Sequence, residues 1–223
     1  MSLTFREGAS LHHASAYGGS ADAIGGVSTI VLVICGLAGV NPPFMAVIAT
    51  IVFGAGLLIH DASLRARYSR AMSAPGEDIS GDGGGSFAAL FLVGAAGIVL
   101  GVLALLGVEA GVLAPVAVIA YGAALLLGGG EARRLAALRH LSAQPGEPGG
   151  ARLAREMACG AANIQALGGL AAMVLGILAL IDNNPHDLVF NLAALLTLGV
   201  TLVLTGSTFA EAMIGSTRSW SRL

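Results

Sequence analysis

Lysine is missing altogether: the 223 residues contain none, and all eleven positive charges are Arg. A chain without lysine forms no Schiff base with retinal or pyridoxal, and it has no P-loop lysine to hold phosphates. Charge of either sign is scarce, at 11% of residues against 56% hydrophobic, with mean hydropathy +0.84. Soluble domains carry about 25% charged residues, so this chain has too few to cover a water-facing surface. The net charge of −2 provides no field for nucleic acid, and no such partner is expected. The two cysteines, Cys35 and Cys159, belong to different apolar runs at different depths. A disulfide needs Cα atoms within about 7 Å, so both read as small buried residues.

What the chain does have is length in apolar runs. Six stand out, at about 22–40, 43–64, 87–107, 111–130, 161–181 and 187–210. At about 1.5 Å of rise per residue, roughly 20 residues cross the ~30 Å hydrocarbon layer. The runs do not alternate with period two, so they read as helices, not barrel strands. The first run begins near Ile24 after a long polar lead with a single Arg, and "LVICG" around Cys35 has Ile where a lipoprotein cleavage site wants a small residue, so it reads as a retained span.

Two kinds of connection alternate. "NPP" (41–43), "GVEAG" (107–111) and "DNNPHD" (182–187) are tight and free of Arg. "SRAMSAPGEDISGDGGGS" (69–86) and "RHLSAQPGEPGGARLARE" (139–156) are longer, rich in Gly and Pro, and flanked by Arg. In a six-span topology all eleven arginines, from Arg6 to Arg222, fall on one side, while Glu109, Asp182 and Asp187 fall on the other. The positive-inside rule then places both termini in the cytoplasm. Pro42, Pro43 and Pro185 suit the first turns of spans two and six, where a missing amide hydrogen does no harm, and Pro115 lies a turn inside span four. An Arg at mid-bilayer costs about 2.5–3.5 kcal/mol, so Arg65 and Arg67 belong at the inner interface. There His60 and Asp61 form an anchor, with Asp61 able to pair with Arg65 one turn on. "EARRLAALRHL" reads as an amphipathic stretch along the inner surface, and Trp220 suits the headgroup zone.

The runs repeat in pairs. Odd spans end on "VICGLAGV", "VLGVLALLGV" and "VLGILALID", and even spans end on "GAGLLIHDASLR", "GAALLLGGGEARR" and "GVTLVLTGSTFAE", with a period of about 70–77 residues. The expected fold class is all-α: a polytopic membrane protein of six transmembrane helices, arranged as three hairpins around a pseudo-threefold axis along the membrane normal. The divisions are an N-terminal segment 1–19, hairpin 20–68, linker 69–86, hairpin 87–141, linker 142–156, hairpin 157–215 and tail 216–223. Gly97 with Gly101, Ala172 with Gly176, and Ala120 with Ala124 are small-xxx-small pairs that let backbones approach.

The motif "VLGILALIDNNP" (174–185), with "VLGVLALLGVEAGVLAP" (99–115) next, resembles the HdeD family of bacterial acid-resistance membrane proteins. The resemblance runs from about residue 20 to 215. It implies a six-span inner-membrane protein linked to acid or general stress, with no catalytic residues to carry over.

Ionisable residues at membrane depth are functional candidates, and here they sit near the inner ends: Asp22, His60, Asp61, Glu131, Asn163 and Glu211. Asp22 and Asn163 hold similar places in their hairpins. Asp61, Glu131 and Glu211 close the even spans, which could make an inward-facing acidic ring for protons or cations. The plainer reading is interfacial capping and pairing with neighbouring Arg. Asp182, His186 and Asp187 stand together in "DNNPHD" but fall short of the ligand count of a closed zinc site. They read as an Asn184-Pro185 turn with an acid at a positive helix end. His12 and His13 lie in the polar lead. No metal or cofactor is expected, and nothing points to an enzyme. The reading is a non-enzymatic membrane protein, a homo-oligomer or a subunit of a larger complex, with lipid as its surroundings. A small channel would need a path lined by Ser28, Thr29, Thr50, Thr197 and Thr201. An accessory subunit of a respiratory or photosynthetic complex would contact quinone or pigment through apolar grooves.

Overall fold

The computed structural model describes residues 23–72, 84–141, 149–181 and 186–220, with side chains at 23–62, 90–129, 160–181 and 186–206. Among these it is entirely helical: α1 (Ala23–Leu37), α2 (Pro42–Met72), α3 (Gly84–Leu105), α4 (Ala110–Leu141), α5 (Gly149–Ala179) and α6 (Asp187–Trp220). Four segments are long and apolar enough to cross a membrane, namely Pro42–Ala62, Ala110–Gly129, Gly160–Ala179 and Asp187–Gly206, while Ala23–Leu37 and Leu90–Leu105 are shorter apolar stretches. This is the make-up of an integral membrane protein.

The helices outrun the expected spans. "EARRLAALRHL" does not break away; it continues α4 without interruption to Leu141. α5 begins at Gly149, inside the expected linker 142–156, and α6 passes the expected boundary at 215 to reach Trp220. Ala, Leu, Arg and Glu are strong helix formers, so the apolar-to-polar change at the end of each span carries no stop signal.

The two described turns share one device. Gly39 (φ 90°) and Gly107 (φ 89°) take left-handed conformations that glycine adopts without steric cost. Gly39 N donates to Gly36 O and Val40 N to Cys35 O; Gly107 N donates to Ala104 O and Val108 N to Leu103 O. This paired pattern satisfies the last carbonyls of α1 and α3. Two residues after each glycine, Asn41 and Glu109 also have positive φ (39° and 31°), and their carbonyls accept the amides that open α2 and α4. Pro42 then starts α2 as expected and Pro115 lies within α4, while Pro185 lies outside the described residues.

Contacts connect the helices in sequence and close the circle. Neighbours α2–α3, α3–α4, α4–α5 and α5–α6 pack together, and α2, α4 and α6 touch one another. α1 meets α2 where Gly25 faces Gly56, and meets α6 where Gly26 faces Gly199. Three crossings are built alike, each from a glycine on an even helix against a glycine on an odd one: Gly54 with Gly94, Gly122 with Gly169, and Gly199 with Gly26. In each pair a Cβ on either residue would stand 2.5–3.3 Å from the partner's carbonyl oxygen. The missing side chains therefore set how closely these backbones approach.

The residue before each even-helix glycine points inward. Phe53, Tyr121 and Leu198 are all 0% exposed and share one buried cluster. Phe53 and Tyr121 meet as tilted rings with centroids 5.0 Å apart. Tyr121 fits between Gly54 and Gly97, and its hydroxyl donates to Thr50 O at 2.9 Å. One turn to either side, Ala49, Ala117 and Ala194, then Leu57, Leu125 and Leu202, are likewise buried. Large apolar side chains instead face outward on the odd helices, for example Ile24, Val31, Leu92, Val99, Leu167 and Val174. A membrane solvates such a surface; water does not.

Candidate functional site

The bundle has two unlike ends. At the linker end, His60 and Asp61 are buried, at 3% and 1% exposure. The expected interfacial anchor is thus turned into the bundle, because the rotation of α2 that aims Phe53 inward carries residues 60 and 61 inward two turns later. The expected partner Arg65 lies outside the described side chains. Asp61 stands seven residues beyond Gly54; the same step from Gly122 and Gly199 reaches Gly129 and Gly206. Glu131 and Glu211, whose side chains lie outside the description, are therefore out of step with Asp61 on their helices. Asn163 is exposed on α5, and Asp22 and Asp182 lie outside the described residues. Among the described residues no three His, Cys, Asp or Glu gather as metal ligands.

The hydroxyl path is also occupied locally. Thr29 donates to Gly25 O, Thr50 to Ala46 O, Thr197 to Ala193 O and Thr201 to Thr197 O, each four residues back in its own helix. A hydroxyl bonded this way is satisfied by its own backbone. Between α2, α4 and α6 the space that a pore would need is filled by Phe53, Tyr121, Leu198 and the leucines beside them.

The turn end differs. The first turns of α2, α4 and α6 surround an open-mouthed cavity of about 290 Å³, walled by Ala46 and Val47, Gly111 and Ala114, and Asp187 and Asn191. Small residues on α2 and α4 leave the space: a Cβ on Gly111 would meet nothing within 4 Å. Asp187 and Asn191 lie one turn apart on a single face of α6. Asn191 is 3% exposed, and both Asp187 Oδ1 and Asn191 Oδ1 are buried without a hydrogen-bond partner. Three helix starts bring their positive dipole ends to the same place. α4 adds the amides of Ala110 and Gly111, which at a helix start have no acceptor within the helix. α2 begins Pro42-Pro43 and lacks those donors.

Asp187 stands in the first turn of α6, as its reading as a helix-end acid anticipates. Asn191 escaped notice because it is a lone amide in the apolar stretch "LVFNLAALL". Its signal was there: a polar residue four places after an acid on the same helix. No family model matches the chain, and no curated protein or solved structure is significantly similar to it.

Proposed function

We propose that this chain is a non-enzymatic body of the bacterial inner membrane. It crosses six times as three hairpins around a pseudo-threefold axis, with both termini in the cytoplasm. Its role is of the HdeD kind, in acid or general stress tolerance, alone as a homo-oligomer or as a packed subunit of a membrane complex. One observation carries the choice of a body over a conduit. The three mutually touching helices fill the space between them with Phe53, Tyr121 and Leu198, all fully buried. A transporter needs polar groups near its midplane, and here the threonine hydroxyls are bonded within their own helices.

Reconstitution into liposomes with an entrapped pH dye tests the reading. After an external acid step, the expected decay matches that of empty liposomes. Proton entry that scales with protein content would replace the body with a channel. A reporter fused within 75–84 tests orientation: a cytoplasmic signal is expected, and an external one overturns the assignment of the termini. A strain lacking the gene should survive an acid challenge less well; equal survival removes the stress role and leaves the structural one.

A further inference from the structure

We propose that the cavity at the turn end binds a small zwitterion, a primary ammonium group carried close to an anionic one. The proposal goes beyond the membrane body and does not depend on its role in stress. It starts from Asp187 Oδ1 and Asn191 Oδ1, two buried acceptors without donors, one turn apart on α6 and at the wall of the same cavity. Buried oxygens of this kind are regularly satisfied by protein, water or ligand. An ammonium group supplies three donors, enough for both oxygens, and its charge matches the Asp187 carboxylate.

Simpler ligands fit less well. A calcium ion takes 6–8 oxygens, whereas the two side-chain oxygens here face a wall of Ala46, Val47, Gly111 and Ala114. Three positive helix ends also oppose a bare cation. A bare anion would meet the Asp187 carboxylate. A zwitterion answers both: its ammonium faces α6, and its anion faces the start of α4, where Ala110 and Gly111 present N–H groups. The Pro42-Pro43 start of α2 offers no N–H, so Ala46 and Val47 form an apolar flank for the short stem between the charges. A volume of about 290 Å³ is several times the ~30 Å³ share of one water, which admits a molecule of amino-acid size. The same chemistry occurs free in water, as in glycine or β-alanine, and on a lipid, as a phosphoethanolamine headgroup.

The test is thermal unfolding of the full chain, purified in mild detergent, with glycine, β-alanine or phosphoethanolamine titrated in, and ethylamine and acetate as single-charge controls. The expected result is a saturable rise in midpoint of roughly 2–4 °C with at least one zwitterion and a clearly smaller one with either control. Asp187→Asn and Asn191→Leu should each abolish the rise. Gly111→Leu should also abolish it while leaving the ligand-free midpoint unlowered, because its Cβ meets open space. Nanodiscs of phosphatidylcholine with and without phosphatidylethanolamine separate the sources. Stabilisation only by the ethanolamine lipid assigns a headgroup, and stabilisation by the soluble compounds assigns a solute. No response to any zwitterion in either setting overturns the proposal, as does an equal response to ethylamine or acetate alone. A response that persists in Gly111→Leu removes the site from this cavity. Should a variant fail to fold, saturation-transfer NMR of β-alanine on the unaltered protein, competed by glycine but not by acetate, decides instead. Liposome flux plays no part in these readouts, so the two proposals fail separately.

Discussion

The middle of the bundle and its turn end are made by the same three helices, yet one is filled and the other hollow. At mid-height α2, α4 and α6 turn Phe53, Tyr121 and Leu198 toward one another, and nothing of that interior reaches solvent. About two turns nearer the helix starts, on the same faces, stand Ala46, Ala114 and Asn191, and a cavity opens. The helices do not differ between the two levels; the side chains do. Matching positions on α2, α4 and α6 face inward at both levels, and residue size decides whether such a position closes the protein or receives something.

The most severe way to break the filled level is at its backbone crossings. A Cβ on Gly122 would stand 2.5 Å from Gly169 O and 3.0 Å from Met173 N, both backbone atoms of α5. Neither atom can swing aside as a side-chain tip can. Gly122→Val is expected to abolish the folded state in detergent, read as loss of the monodisperse peak in size exclusion. Gly160, where an added Cβ would meet nothing within 4 Å, is the control, and Gly160→Ala should be neutral or slightly stabilising.

Next comes the plug itself. Phe53→Ala leaves a void between tightly packed helices, and large-to-small changes of this kind cost about 3–5 kcal/mol. Unfolding titration in mixed micelles should show that loss. A loss under about 1 kcal/mol, within the range of much smaller deletions such as Ile→Val, would mean that neighbours collapse into the gap and that the filled level is not tightly set. Tyr121→Phe keeps the ring against Phe53 and removes only the hydroxyl that donates to Thr50 O. Its expected cost is about 0.5–1.5 kcal/mol, distinctly below that of Phe53→Ala.

How much of this was legible from the residues alone follows from which signals are local. Turn chemistry is local: Pro42 after Asn41, and the glycines at 39 and 107, mark where helices stop and restart, and the structure turns there. Length and apolarity are local too, and they place the six helices. Small-xxx-small pairs are a weaker guide: Gly97 and Gly101 make room for the side chains of Tyr121 and Ile51, while the backbone crossings fall at Gly54, Gly94, Gly122, Gly169, Gly199 and Gly26. Helix rotation is not local. Spans that are apolar all round carry no pattern that says which side faces the core. His60 and Asp61 therefore read as interfacial, although contacts with other helices turn them inward. The cavity was hidden for the same reason. It exists because small residues from three separated stretches meet near Asn191, and no single stretch records that meeting.

The smallest predicted effect distinguishes a lined path from a packed interior. Thr29 is fully buried, and its hydroxyl donates to Gly25 O at 2.9 Å. That carbonyl already belongs to the ladder of α1, so removing the hydroxyl leaves no buried group newly without a partner. Valine has nearly the shape of threonine and keeps its rotamer preference in a helix. Thr29→Val should therefore change unfolding free energy by no more than about 0.5 kcal/mol, the range of substitutions that disturb no named feature. A hydroxyl used by a permeating ion or proton would behave differently, because its loss would alter flux while stability stayed put. A changed liposome flux in Thr29→Val at unchanged stability would place Thr29 on a conduit and break the contrast between a sealed middle and a hollow end.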